Sequence, residues 1–195
     1  MAMYISMYYT DSLGISAALV GTMMLVARIF DGISDVVFGI IIEKANMKMG
    51  KARPWLIIAS PLLAVGVYAC FNVPTNLSKS GTLPFIFISY TFVSAVAFTI
   101  YTLAFGALPS LISRDSNDRN TITTLGMVFA TLGWMILSYV TPILLVVKGI
   151  INSTESWNFV SIIYAIICGV LIFGMDIFVK EQPYEGTEKK SEISR

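Results

Sequence analysis

Long apolar stretches decide what this chain can fold into. They run roughly over residues 16–42, 54–73, 83–112, 121–147 and 157–179. Each is long enough to cross a bilayer core, which takes about 20 consecutive apolar residues. A further stretch at about residues 1–10, MAMYISMYY, is too short to span and reads as the last turns of a partial helix. It stops at TDSLGIS, a turn and helix start in which Ser16 is expected to cap the next helix. Composition points the same way. The chain is 56% hydrophobic and 13% charged, with a mean hydropathy of +0.77, whereas a soluble domain carries about 25% charged residues. The expected fold class is therefore all-α, a multi-pass transmembrane helical bundle in a lipid bilayer.

Several function classes fall away. A net charge of +1 leaves no electrostatic footprint for a nucleic-acid partner. Cys70 and Cys168 lie in apolar runs and the chain has no histidine, so they read as packing residues. No cofactor, and no metal beyond a monovalent cation, is expected. Residues 1–10 lack a basic n-region and a small-residue cleavage site, so they do not read as a signal peptide.

The loops set the orientation. Lys44, Lys48, Lys51, Arg53, Arg114, Arg119, Lys180, Lys189, Lys190 and Arg195 fall on one side, and Lys79 and Lys148 on the other. The richer side is expected to be cytoplasmic, in a cytoplasmic (inner) membrane. Residues 181–195 form a polar tail or linker on that side.

Inside the first full span, ARIFDGISDVVFG carries Arg28, Asp31 and Asp35 at i, i+3, i+7, one face of an α-helix. Counted from Glu43 at the helix end, Asp31 lies roughly 18 Å deep and Asp35 about 12 Å deep. A short side chain cannot reach water from there, so these groups are expected to face a cavity or a partner. One arginine against two aspartates leaves one negative charge, which one monovalent cation or one proton can neutralise. The carboxylates, with Ser34 or a hydroxyl from another helix, offer the oxygen ligands that hard cations prefer. A purely structural Arg–Asp network is the plainer reading. An enzymatic reading, with D-x-x-x-D holding magnesium against a diphosphate, lacks a second acidic cluster at the same depth. Its only candidates, Asp115 and Asp118, sit in a polar loop, so no enzyme is expected.

The next loop carries Gly39, Glu43, Gly50, Lys51 and Arg53 in the pattern G-x-x-x-E-K followed by GKARPW. Gly39 permits close helix packing. Glu43 and the basic residues read as an ionic latch between helix ends. Pro54 suits the first turn of the following helix, and Trp55 suits the interface. Arg114, Asp115, Asp118 and Arg119 read as a solvated loop, with a second latch as the sharper alternative. Asp176 and Lys180 are spaced to pair at i, i+4. Gly126, Ala130 and Gly133 are spaced for close helix contact, and Pro109 and Pro142 for kinks.

YYTDSLGISAALVGTMMLVARIFDGISDVVFG, EKANMKMGKARPW and, more weakly, YTF…LPSLISRD resemble the glycoside–pentoside–hexuronide:cation symporters, the melibiose-permease-like branch of the major facilitator superfamily. The resemblance covers nearly the whole chain as the N-terminal six-helix half of that fold, with the first helix truncated and a C-terminal half missing. It implies sugar or glycoside uptake driven by sodium, lithium or protons. It places Asp31 and Asp35 on the family's cation-binding aspartates, Ser34 on an asparagine ligand and Arg28 on the arginine one turn earlier. A cation-ligating threonine falls on Phe98, with Thr99 adjacent. Residues of the melibiose-type sugar site fall on Tyr101, Phe105 and near Met127, where the acidic, tryptophan and arginine groups are replaced. Two alternatives belong beside this reading. The chain is a non-transporting truncated product or one half of a split transporter, or else a proton-coupled drug exporter of the same superfamily. The second lacks an exporter-type glycine–proline motif in the fifth helix.

Overall fold

The computed structural model describes residues 2–45, 50–74, 79–147 and 153–178. Among them there is no strand. In lipid every backbone N–H and C=O must be satisfied within the segment, and apolar runs of this length meet that demand as helices. In chain order they are α1 (Ala2–Met7), α2 (Ala17–Lys44), α3 (Arg53–Phe71), α4 (Lys79–Phe92), α5 (Thr99–Ile112), α6 (Ser116–Val147) and α7 (Thr154–Phe178). Two π-type segments, Tyr8–Ser12 and Val93–Phe98, widen the chain after α1 and between α4 and α5. The segments Arg53–Phe71, Gly81–Ile112, Ser116–Val146 and Thr154–Met175 are long and apolar enough to cross a membrane. Helix α2 has 28 residues, about 42 Å of rise, and differs from them in carrying three ionisable residues along its middle.

Turn chemistry follows the sequence with one correction. Gly14 (φ +67°) and Gly50 (φ +115°) take left-handed conformations in the links before and after α2, which glycine adopts without a Cβ clash. Pro54 sits in the first turn of α3 as expected. Ser16 does precede α2, but its side chain makes no capping bond. Its carbonyl instead accepts the N–H groups of Leu19 (3.0 Å) and Val20 (3.1 Å).

Helix α3 is the packing hub. It lies against α7, against α5 and against the Val93–Phe98 turn. Ser60 Oγ donates to the Gly169 carbonyl at 3.2 Å, and Asn72 Nδ2 donates to Ser161 Oγ at 3.1 Å. At one end of α3, Phe71 stacks on Trp157 with centroids 5.6 Å apart and planes 7° apart. Tyr4, Tyr8 and Tyr9 complete that aromatic cluster. At the other end Ala52 and Leu56 pack on Ala104 and Leu108 of α5. The GKARPW loop is thereby fastened to the end of α5. Cys70 is buried in the core and both cysteines are free thiols.

Proline leaves a trace that another helix answers. Pro142 has no N–H for the Ser138 carbonyl, and the Tyr4 hydroxyl of α1 donates to that carbonyl at 3.4 Å. Thr141, next to the proline, shares a 2.7 Å hydrogen bond with Tyr164 and ties α6 to α7.

Other expectations are corrected. A Cβ added at Gly39, Gly126 or Gly133 meets nothing within 4 Å, so these glycines make no close helix contact among the described residues. The acidic pair after α5 belongs to the start of α6. Asp115 Oδ1 accepts the Asn117 N–H at 3.0 Å, and Ser113 Oγ bridges to Asp118 Oδ2 at 3.0 Å. Lys48, Lys148, the tail at 181–195 and the side chain of Asp176 lie outside the described residues.

Among the described glycines the closest approach is at Gly66, where an added Cβ would come within 2.5 Å of Val93 Cγ2. Overpacking of this kind costs about 1–3 kcal/mol. Gly66→Leu is therefore expected to lower the unfolding temperature in detergent, and Val93→Ala in the same chain to recover part of the loss. An unchanged transition would contradict the packing.

Candidate functional site

The site is built on the middle of α2. Arg28 and Asp31 are one helical turn apart, and the Arg28 guanidinium donates to Asp31 Oδ2 at 3.1 Å. The arginine side chain is 66% exposed and the aspartate side chain 17%. The second carboxylate oxygen of Asp31 accepts a 3.4 Å hydrogen bond from Thr99 Oγ1 of α5. Asp31 is thus shared between its own helix and a neighbour. Tyr90 of α4 lies within electrostatic reach of both Arg28 and Asp31.

Thr99 reaches Asp31 because of the π-type turn before it. An α-helix interrupted by one π turn holds an extra residue and advances its face by one position. The Ser94 carbonyl, five residues back, also lies within hydrogen-bond distance of the Thr99 hydroxyl, at 3.3 Å, and shares its single proton with Asp31. With this phase Thr99 is buried beside α2, while Phe98 is 50% exposed. Thr99, not Phe98, is the residue of this helix that faces Asp31.

Asp35 lies one turn beyond Asp31 on α2 and is exposed; Ser34 is half-buried. Neither is tied to the Arg28–Asp31–Thr99 set by a hydrogen bond. The arrangement therefore leaves Asp31 partnered and Asp35 open. With Ser34, these groups could offer oxygen atoms to a small cation or receive a proton.

The loop residues are placed as follows. Glu43 is exposed near the end of α2, Lys51 and Arg53 are half-buried, and Gly50 makes the turn between them. Among the described residues no ion pair joins Glu43 to Lys51 or Arg53.

The residues expected at a sugar site are only partly brought together. Tyr101 and Phe105 stack with centroids 5.6 Å apart at 18°. Tyr101 packs against both core clusters, while Phe105 is 41% exposed. Met127 stands apart on α6 and is 66% exposed. A cavity of about 380 Å³ between α1, α3, α6 and α7 is apolar, with Val67, Phe71, Trp157 and Tyr164 in its lining. None of Arg28, Asp31 and Asp35 lines it.

The sequence reading missed the π turn, the Tyr4–Ser138 bond and the proximity of Tyr90. Only the second had a local signal, the carbonyl orphaned by Pro142.

With this geometry in view, the comparisons are decisive for the family. The whole chain, residues 1–195, matches the family described as MFS/sugar transport protein. The chain belongs to that family. This major facilitator chain is similar to the isoprimeverose transporter of Lactiplantibacillus pentosus, 35% identical over 96% of the chain and 39% of that protein. It is also similar to the uncharacterized symporter YnaJ of Bacillus subtilis, 32% identical over 87% of the chain and 36% of that protein. The glucuronide carrier protein homolog of Escherichia coli is 27% identical over 88% of the chain and 37% of that protein. The major facilitator chain thus spans 36–39% of the length of these relatives. It is a multi-pass helical membrane protein of the transporter type, in keeping with its resemblance to the glycoside–pentoside–hexuronide symporters.

The Asp31–Thr99 contact makes a direct prediction. A hydrogen bond to a charged group contributes about 1.5–3 kcal/mol, and residues in contact show coupling of roughly 0.5 kcal/mol or more. Thr99→Val should lower stability in detergent, and should lower it less when Asp31→Ala is already present. Phe98→Leu should show no such coupling to Asp31. A Thr99–Asp31 cycle without coupling would contradict the contact.

Proposed function

We propose that this chain forms one helical half of a cation-coupled symporter that carries a sugar or glycoside across the cytoplasmic membrane. The observation that carries the reading is Asp31, placed mid-span on α2 and bonded to both Arg28 and Thr99. An ionised side chain at the middle of a membrane helix costs about 2.5–3.5 kcal/mol even on insertion scales. A chain that keeps three such groups on one face, with one uncompensated negative charge, is poised to take up a cation. The names of its relatives, among them an isoprimeverose transporter and a glucuronide carrier protein homolog, supply the class of cargo.

In this reading sodium, lithium or a proton binds at Asp31 and Asp35, with Ser34 and Thr99 as further oxygen donors. Arg28 holds Asp31 in place and sets the charge balance. Binding cancels the surplus charge and stabilises the state that accepts substrate. By reciprocity the substrate must tighten cation binding by the same factor. The loaded protein then changes access from one side to the other by rocking of two bundles around a central site. Glu43, Lys51 and Arg53 form and release an ionic contact on the cytoplasmic side during that motion. A second helical bundle supplies the facing wall.

The test is uptake of radiolabelled isoprimeverose and methyl β-D-glucuronide by cells carrying the gene at its native locus. Uptake of one of them should rise with external sodium or with acidification. Asp31→Asn and Asp35→Asn should each abolish that stimulation. Stimulation surviving undiminished in either variant would remove that residue from the cation site.

A further inference from the structure

The apolar cavity between α1, α3, α6 and α7 takes no part in the symport reading. Its volume of about 380 Å³ is within the range of small-molecule sites. Its floor is closed, with Trp157, Val160 and Phe71 only 1%, 3% and 6% exposed. Its mouth is open. Trp134 of α6 and Leu171 of α7 also line it and are 54% and 67% exposed. The cavity is therefore a cleft that enters the bundle between these two helices. Along α7 its lining runs from Trp157 to Leu171, about 21 Å of helix rise. One leaflet of a bilayer core is about 15 Å thick. The cleft thus runs from near one end of the span to just past the midplane.

Its chemistry limits what can enter. Every hydroxyl in the lining already has a partner. Tyr4 donates to the Ser138 carbonyl at 3.4 Å, Thr141 donates to the Leu137 carbonyl, and Tyr164 lies 2.7 Å from the Thr141 oxygen. Ser161 Oγ donates to the Asn158 carbonyl at 2.8 Å and accepts from Asn72 Nδ2 at 3.1 Å. A sugar or a cation would give up its hydration there for few polar contacts in return. Water gains little either, because an apolar cavity stays dry. An empty cleft, however, forfeits dispersion contacts along its whole lining. In a bilayer the medium that meets the open mouth is acyl chain, which is apolar, flexible and one leaflet long.

We propose that the cleft holds an acyl chain of a membrane phospholipid, drawn from the leaflet at the Trp157 end, inserted between α6 and α7 and seated on Trp157. The lipid then serves as packing between α6 and α3, and α6 is held to the bundle by it as well as by the Thr141–Tyr164 bond. This proposal does not depend on the coupling chemistry of α2.

The experiment is quenching of Trp157 by brominated lipid, with the full chain reconstituted into phosphatidylcholine vesicles with and without dibrominated acyl chains. The chain has three tryptophans, and Trp55→Phe with Trp134→Phe leaves Trp157 as the reporter. Bromine quenches on contact, and the buried Trp157 can meet a lipid chain only through the cleft. Its emission should therefore drop in the brominated vesicles. Cys168 lines the cleft, so Cys168→Phe in the same chain should fill the space and restore the emission. If Cys168→Phe moves the emission maximum, a sign of disturbed folding, Ile167→Phe at the mouth takes its place. Equal emission in the two kinds of vesicle would mean that protein closes the cleft, either another helix or a second copy of the chain. The proposal would then fail and the symport reading would stand. Quenching that persists with the cleft filled would also overturn it, since the lipid would be reaching Trp157 by another route.

Discussion

The carboxylate of Asp31 has one oxygen on Arg28 of its own helix and the other on Thr99 of a neighbouring helix. Within a membrane this sharing matters more than its modest distances suggest. Each partner offsets part of the cost of holding a charge away from water. The contact also fixes the rotation of α5 relative to α2, because only one residue of α5 can face Asp31 at that depth. The placement of Phe98, Thr102, Phe105 and Gly106 around the helix follows from that choice.

The rest of the bundle holds this arrangement in place. The π turn at Val93–Phe98 advances α5 by one residue, and Gly66 of α3 lets Val93 of that turn come close. Below it, α3 is fastened to α7 through Ser60 and Gly169 and through the Phe71–Trp157 stack. Helices α2 and α6 are far less covered: Ile33, Val36, Phe129 and Met135 are each more than half exposed. Such residues suit lipid or another bundle. Helix α2 nonetheless packs against the Val93–Phe98 turn, α5 and α4.

Much of the fold was legible in the sequence for a simple reason. In a bilayer a long apolar run has one available conformation, so the helices at Arg53–Phe71, Ser116–Val147 and Thr154–Phe178 followed from length alone. The i, i+3 spacing of Arg28 and Asp31 likewise predicted their ion pair. What was not legible was phase. VSAVAF carries no residue pattern that separates a π turn from an α-helical one, so Phe98 and Thr99 could not be ordered by sequence. Small-residue spacings were also ambiguous, since Gly66 packs tightly on Val93 while Gly126 and Gly133 meet open space. A glycine shows that an approach is permitted and not that a neighbour is there.

In the proposed symport, the charge on Asp31 and Asp35 links a cation to a sugar. Equilibrium binding of a chromophoric glycoside, such as 4-nitrophenyl β-D-xyloside, to the purified protein tests it most directly. The titration would be repeated over a range of sodium concentrations and of pH. The glycoside should bind more tightly as either sodium or protons increase. Saturating glycoside should raise the affinity for that same cation by an equal factor. A glycoside that binds with an affinity indifferent to both sodium and pH would contradict it.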